Sequence, residues 1–248
     1  MRALILAAGM GSRLMPLTAD RPKVLVELAG ATLLGRMLSC LATAGVREAV
    51  VVTGYREDAI ERWLEHGELP LPVRTVHNDD YERINNAHSV YVARDALLGE
   101  AFLKLDGDLL LSPELVSRLL CAPFASAALI DTSERPDAEA MKASVRADGT
   151  IAAFGKWLPA SEAAGESIGI ERIAEADAPL LFDAIERLVH REGRLEAYYE
   201  DAYHRMIQDG FAMGAVDTGS VPWTEIDDAA DLARARELLL RLDEAPSS

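Results

Sequence analysis

Apolar and polar positions along the chain switch repeatedly between two periods. Residues 3–8, Ala-Leu-Ile-Leu-Ala-Ala, are apolar without a break, which predicts a strand buried on both faces. "LLGRMLSCLATAG" then repeats its apolar positions with helical spacing and stops at Gly45, a residue type that ends helices. "EAVVVTGY" predicts the next strand and "REDAIERWLEHG" a helix closing at Gly67. "PVRTVHN", "AHSVYVARDALLG" and "AFLKLDGD" repeat the order, and Ser112 followed by Pro113 opens another helix as N-cap and first helical residue. Repeated strand–helix units predict an α/β fold with a doubly wound, mostly parallel sheet.

The second half has a different rhythm. "SAALIDT", "KASVRADGTIAAFGK" and "ESIGIERI" read as strands joined by tight turns, with "ADGT" a hairpin signal. Helices "APLLFDAIERLVHREG" and "EDAYHRMIQDG" follow, then strand "FAMGAVD", short strand "WTEID" and a last helix from Asp228 to Leu242. No repeat or low-complexity linker separates the halves. The expectation is one mixed-sheet domain over residues 1–242, its second half adding antiparallel strands and the rest of a cleft, with residues 243–248 as a flexible tail.

Charge narrows the functions open to such a fold. The 248 residues carry 25 basic and 41 acidic side chains, a net charge of −16. That disfavours nucleic acid, whose binding rests on basic surface. Any phosphate site must concentrate its few cations locally or use a metal. Cys40 and Cys121 both fall in apolar helical segments and are expected to be buried free thiols. The five histidines show no metal-ligand spacing. The apolar start is too short for a signal segment, and no apolar run nears the ~20 residues that span a bilayer. A cytoplasmic protein without membrane partners is expected.

The candidate chemistry begins at "LAAGMGSRLMPLTADRPKVLVELAG", Leu6 to Gly30. A glycine turn after a buried strand gathers backbone N–H groups that suit phosphate oxygens. It is not a P-loop, because Lys23 follows Pro22 rather than a late glycine, and a dinucleotide fingerprint would need glycine where Leu14 stands. A plain turn leaves Arg13 and Lys23 on one long loop unexplained.

This stretch resembles the signature of the nucleotidyltransferases that activate sugar phosphates and related phospho-compounds, roughly L-A-A-G-x-G-x-R-L-x-P-L-T followed by P-K. The resemblance implies a Rossmann-like fold and transfer of a nucleotidyl group from a nucleoside triphosphate to a phosphate or phosphonate, releasing pyrophosphate. Positioning and charge stabilisation would dominate such a reaction. In that scheme the backbone of Gly9, Met10, Gly11 and Ser12 meets the triphosphate, and Leu6, Ala8 and Gly9 read the base. Arg13 holds the leaving phosphates, Lys23 neutralises charge at the α-phosphate, and Pro22 fixes the backbone before it.

The resemblance also points to a metal. "FLKLDGDLLL" carries Asp106 and Asp108, which share a face if the strand continues. The family's aspartate matches Asp108, with Asp106 beside the nucleotide or as a supporting ligand. The family's later carboxylate matches Asp227 at the end of "WTEID", and Asp228 reads as a helix N-cap. Asp108 and Asp227 would hold one Mg²⁺, which takes few carboxylates plus substrate oxygens.

"NNAHSVYVA" resembles the N-N-x-x-S-L-Y segment of the cytidylyltransferase branch, which includes phosphocholine and phosphonate enzymes. It implies CTP, with Asn86 and Ser89 near the nucleotide, although Asn85 and Asn86 also suit a helix cap. In the family a lysine at the place of Lys156 meets the acceptor phosphate, and an acidic residue at the place of Glu166 lines the acceptor pocket. "EAYYEDAYHRMI" gathers Tyr198, Tyr199, Glu200, Asp201 and Tyr203. Acidic residues at a helix start complement its dipole, and together with Asp131 they would also form a wall for a cationic head group.

The expected activity is CMP transfer from CTP to a small acceptor of the phosphocholine or 2-aminoethylphosphonate type. Its rivals are a sugar-1-phosphate or inositol-1-phosphate nucleotidyltransferase using CTP or another triphosphate, and a non-catalytic nucleotide-binding protein. The retention of Arg13, Lys23, Asp108 and Asp227 argues against the last.

Overall fold

The computed structural model describes residues 1–244. In chain order the elements are β1 (Arg2–Leu6), β2 (Glu27–Leu28), β3 (Ala31–Thr32), α1 (Leu33–Thr43), β4 (Glu48–Thr53), α2 (Glu57–His66), β5 (Val73–His77), α3 (Asn86–Val92), α4 (Arg94–Leu97), β6 (Phe102–Asp106), β7 (Leu109–Leu110) and α5 (Pro113–Leu120). The second half adds β8 (Ala127–Asp131), β9 (Lys142–Val145), β10 (Ile151–Phe154), β11 (Gly165–Ile173), α6 (Ala178–Ile185), α7 (Tyr199–Gln208), β12 (Gly214–Asp217), β13 (Thr224–Glu225) and α8 (Ala229–Glu244). α8 continues just past the boundary expected at residue 242, and residues 245–248 of the expected tail lie outside the described residues. No helix among the described residues is long and apolar enough to cross a membrane.

Nine strands form the main sheet, running β10-β9-β11-β6-β1-β4-β5, with β8 branching from β11 and β12 pairing with β8. β5, β4, β1 and β6 are parallel. The second half then adds β11 antiparallel to β6, and β8 and β9 antiparallel to β11.

The unbroken apolar run of β1 has its reason here. Leu4 packs into the core on one face of the sheet with α3, α6 and α7, while Ala3 and Ile5 pack into the other with α1, α2 and α5. Alternate side chains of β4 divide the same way, Val50 and Val52 against Ala49 and Val51. Each buried Leu, Ile or Val among them contributes roughly 1.5–3 kcal/mol. A third apolar cluster joins α8 to Leu14, Val26 and Leu28, so the last helix anchors the signature loop.

This order puts a reversal between β1 and β6, where Leu6 pairs with Asp106. In open α/β sheets ligands bind outside the carboxyl ends of the strands at such a reversal.

Some expectations needed correction. The third predicted helix breaks at Ala93 into α3 and α4, and α6 continues into a wide turn over Glu186–Arg191. Ser112 is the N-cap residue of α5 but its side chain makes no capping bond. Cys40 is buried, and burial pushes its thiol up to about 12. Cys121 is exposed, because it terminates α5 where the chain leaves the core. Asp106 and Asp108 do not share a strand face: β6 ends at Asp106, and the chain turns at Gly107. A side chain at Gly107 would collide with the Leu6 carbonyl, so glycine permits the turn that carries Asp108.

Candidate active site

A cleft of about 760 Å³ opens at the β1–β6 reversal. One end is made by the signature loop. Leu6, Ala8, Gly9, Gly11, Ser12 and Arg13 line it, whereas the Met10 side chain is exposed and Met10 is not among the lining residues. Gly11 has φ +60°, and a Cβ there would come within 3.0 Å of the Lys23 Cβ. The loop therefore folds back tightly on itself. Thr18 Oγ1 donates to the Gly11 carbonyl at 2.9 Å, and the Tyr55 hydroxyl donates to the Thr18 and Ala19 carbonyls at 2.9 and 3.0 Å. Pro22, in extended conformation, precedes a single helical turn from Lys23 to Leu25, whose Val24 and Leu25 are buried. That burial aims Lys23 back into the cleft.

Lys23 and Arg13 meet the two predicted carboxylates. Lys23 Nζ lies 2.8 Å from Asp108 Oδ2 and 2.7 Å from Asp227 Oδ1. Arg13 takes the other oxygen of Asp227 at 2.6 Å. Burial acts to lower the Lys23 pKa, and the two carboxylates more than offset it, so it is raised.

A short ladder brings Asp108 and Asp227 together across the chain. β13 pairs with β7, Thr224 opposite Leu110 and Glu225 opposite Leu109, and the Ile226 amide donates to the Asp108 carbonyl at 2.9 Å. Asp228 caps α8 as expected, accepting from the amides of Ala230 and Asp231 at 2.7 and 3.0 Å.

The same ladder adds Glu225, a residue that sequence reasoning missed. Ligand atoms of Asp108, Glu225 and Asp227 lie within 4.8 Å of one another. Glu225 keeps exposed surface at the rim, yet crowding of its carboxyl by protein and then the charges of Asp108 and Asp227 push it up to about 8. Its signal was the two-residue spacing from Asp227 in "WTEID". Oδ1 of Asp108 is buried without a partner. An all-oxygen, carboxylate-rich set with an unpaired inward oxygen fits a hard divalent cation such as magnesium.

Asn86 and Ser89 line the cleft beside Tyr81 and Ile84. Asn85 caps α3, its Oδ1 accepting from the Asn86 amide at 2.8 Å. Asn86 Oδ1 instead accepts from the Tyr199 amide at 3.2 Å, tying α3 to the start of α7. Ser89 Oγ accepts from Asn78 Nδ2 at 3.0 Å.

The floor is a buried polar cluster. Asp106 accepts from Lys104 Nζ at 3.1 Å and from the Tyr199 hydroxyl at 2.6 Å. The Lys104 ammonium lies 3.3 Å from the centre of the Tyr199 ring and 2.9 Å from Glu171. Burial is the main reason the carboxyls of Glu171 and Glu200 are raised, to about 7 and about 8, with Asp106 adding to the effect and Lys104 opposing it. Burial likewise raises the Tyr199 pKa, which keeps that hydroxyl a donor. Space for the Asp106 carboxylate comes from a bulge in β11. Gly169, at φ +74°, sits in the register shift between Ser167 and Glu171, and a side chain there would strike Asp106.

Away from the signature loop the cleft is lined by Asp137, Glu139, Lys156, Glu166, Tyr198 and Trp223, while Tyr199 and Glu200 belong to its floor. Lys156, Glu166, Tyr199 and Glu200 all line the cleft. Burial, then Asp137 and Asp131, raises the Glu166 pKa. Asp201 does not line the cleft. Its carboxylate accepts from the Tyr198 amide at 2.8 Å and serves as a helix cap. Tyr203 is fully buried behind Tyr199. Asp131 accepts from the Trp223 indole N–H at 2.6 Å and stands opposite Glu166 in the β8–β11 pairing, without lining the cleft itself.

A glycine loop, loop-borne cations and a carboxylate cluster meet at a sheet reversal, an arrangement whose backbone N–H groups and charges suit phosphate chemistry. Residues 3–153 match the MobA-like NTP transferase domain, and the chain belongs to this family. It is 34% identical over 248 aligned residues to the CMP-5'-(3-aminopropyl)phosphonate synthase of Streptomyces rubellomurinus, covering 94% of this chain and 38% of that protein. It is 37% identical over 112 residues to the 2-aminoethylphosphonate cytidylyltransferase of Lancefieldella rimae, covering 45% of this chain and 44% of that protein. The fold matches the inositol-1-phosphate CTP transferase from T. maritima with a TM-score of 0.80 at 24% identity, over 100% of this chain and 98% of the other. The chain spans 38%, 52% and 53% of the length of three of the relatives it matches.

Proposed function

We propose that the chain transfers the CMP group of CTP to a small phosphate or phosphonate acceptor that carries an ammonium group, releasing pyrophosphate. The observation behind this reading is one cleft with two unlike ends. The signature loop brings Arg13 and Lys23 to one, and Asp137, Glu139 and Glu166 gather with Lys156 at the other. A single lysine among carboxylates and aromatic rings suits a molecule that is anionic at phosphorus and cationic at its far end. The 3-aminopropyl- and 2-aminoethylphosphonate chemistry of the relatives supports that choice, as does their use of the cytidylyl group.

In this mechanism the backbone of Gly9, Gly11 and Ser12 cradles the triphosphate, and Leu6, Ala8, Asn86 and Ser89 border the nucleoside. Lys23 turns from its carboxylates to the α-phosphate, where charge grows as the acceptor oxygen attacks in line. Arg13 holds the departing pyrophosphate. Lys156 orients the acceptor's phosphorus group, and Glu166 receives its ammonium. Asp108, Asp227 and Glu225 would hold Mg²⁺, which when bound neutralises phosphate charge and aligns donor with acceptor. The acceptor oxyanion is itself the nucleophile, so the chain needs no covalent intermediate.

Purified protein with Mg²⁺ should release pyrophosphate from CTP when given 2-aminoethylphosphonate or phosphocholine. Turnover with UTP or dTTP and glucose-1-phosphate, and none with the amine acceptors, would overturn the reading.

A further inference from the structure

β9 begins with a buried lysine that the reaction does not use. Lys142 is only 2% exposed. Its ammonium donates to the carbonyls of Ala138 at 3.0 Å, Ala140 at 3.1 Å and Lys156 at 3.0 Å. A lysine has three donors and no acceptor, so these contacts saturate it. Among the described residues no carboxylate comes within ion-pair distance of it. A buried charge held by carbonyl dipoles alone is unusual, because charges leave water at high cost unless closely paired.

Those carbonyls belong to two separate loops. One runs between β8 and β9 and carries Asp137 and Glu139. The other follows β10 and carries Lys156. Both send side chains into the same end of the cleft, and otherwise they touch there only loosely, with Lys156 Nζ 4.0 Å from Glu139. Lys142 also stands opposite Glu166 in the β9–β11 pairing. One ammonium therefore ties both loops to the strand beside Glu166.

We propose that Lys142 is a positioning residue for the acceptor. It fixes the distance between Lys156, which takes the phosphorus group, and the carboxylates that take the ammonium. It touches neither substrate. A methionine would fill the same space but leave the carbonyls of Ala138, Ala140 and Lys156 without donors, so the loops would lose their link to each other, although the Gly155 amide would still donate to the residue 142 carbonyl, at 2.9 Å in the native chain. Small misplacements of positioned groups cost up to about 10²-fold in rate or affinity. The effect should be confined to the acceptor, since the nucleotide end is built from other elements. The inference rests on the proposed assignment of this end to the acceptor.

The test uses the full chain with Mg²⁺, CTP and 2-aminoethylphosphonate, comparing wild type with Lys142→Met and Lys142→Arg. Lys142→Met should raise KM for 2-aminoethylphosphonate by about 10-fold or more while KM for CTP stays within about 2-fold. Lys142→Arg, which keeps donors, should fall between. Hydrogen exchange should quicken in residues 134–140 and 155–158 and stay unchanged in residues 9–26. An unchanged acceptor KM, or acceptor and CTP KM rising together with a fall in Tm, would overturn the inference. If Lys142→Met does not fold, the exchange pattern of Lys142→Arg decides: protection unchanged in both loops overturns it. If wild type ignores 2-aminoethylphosphonate, the acceptor reading fails, and localised exchange in the variants still reports whether Lys142 ties the loops.

Discussion

At the end of the cleft proposed for the triphosphate, Arg13 and Lys23 sit on one loop and pair with Asp108 and Asp227. At the end proposed for the acceptor, the lining comes from the β8–β9 loop, the turn after β10, the bulged β11, the start of α7 and Trp223. The first end is one contiguous device whose charges already compensate each other. The second is assembled from distant segments and has an excess of carboxylates. On the proposed reading, reaction type resides in a short stretch, and acceptor choice in the packing of the second half. One family can keep the former while changing the latter.

The largest effect should come from the first end. Lys23→Ala should lower turnover by about 10²- to 10³-fold without altering the circular dichroism spectrum. The same variant should bind Mn²⁺ more tightly than wild type in the absence of nucleotide, because the ammonium no longer competes for Asp108 and Asp227. Unchanged pyrophosphate release would remove Lys23 from the mechanism.

At the second end, Glu166→Gln should raise KM for an amine-bearing acceptor by about 10-fold and leave KM for CTP alone. A matching rise for both substrates would erase the distinction between the ends. Glu225→Gln should move the Mg²⁺ activation midpoint upward by about 10-fold, read from a metal titration at saturating substrates; no shift would exclude Glu225 from the ligand set.

The smallest effect concerns stability. Glu171 and Glu200 have folded-state pKa values raised by burial, Glu200 to about 8. The unfolded chain loses these protons near pH 4.3, while the folded chain keeps them until pH passes the raised values. Between those limits the folded state binds more protons, so stability should fall as pH rises and level off above the folded values. Glu200→Gln should flatten that decline in a Tm-against-pH series. An equally steep decline would show that Glu200 is ionised in the folded protein.

The same contrast explains what could be read from the chain alone. Contiguity made the signature loop legible: glycines, Arg13, Pro22 and Lys23 lie within one stretch. Parallel strands announced themselves as apolar runs because both faces of β1 and β4 are buried. Asp227 was found through its place before the last helix. Glu225 escaped because strand alternation within "WTEID" was not used to pair it with Asp227. The shared face expected for Asp106 and Asp108 failed because Gly107 ends the strand, yet both residues line the cleft. Asp201 showed the converse error, since an acid in a helix's first turn serves the backbone more readily than a ligand. Lys104 and Lys142 gave no local signal at all. A lysine in a strand reads as a solvated side chain, and only the fold reveals that both are buried.

The tie of Lys23 and Arg13 to Asp108 and Asp227 also acts as a filter. An open nest of cations would draw in any phosphate the surroundings offer, orthophosphate and pyrophosphate included. Here a lone anion must pull the cations from their carboxylates and strand negative charge behind it, while a lone metal ion must evict the ammonium and strand positive charge. A metal–nucleotide chelate brings both signs at once and leaves every group matched. Orthophosphate should therefore compete only weakly with CTP in the presence of Mg²⁺, as an inhibition constant would show. The fingerprint that marks the reaction would then also keep its clamp shut to the commonest anions that resemble its substrate.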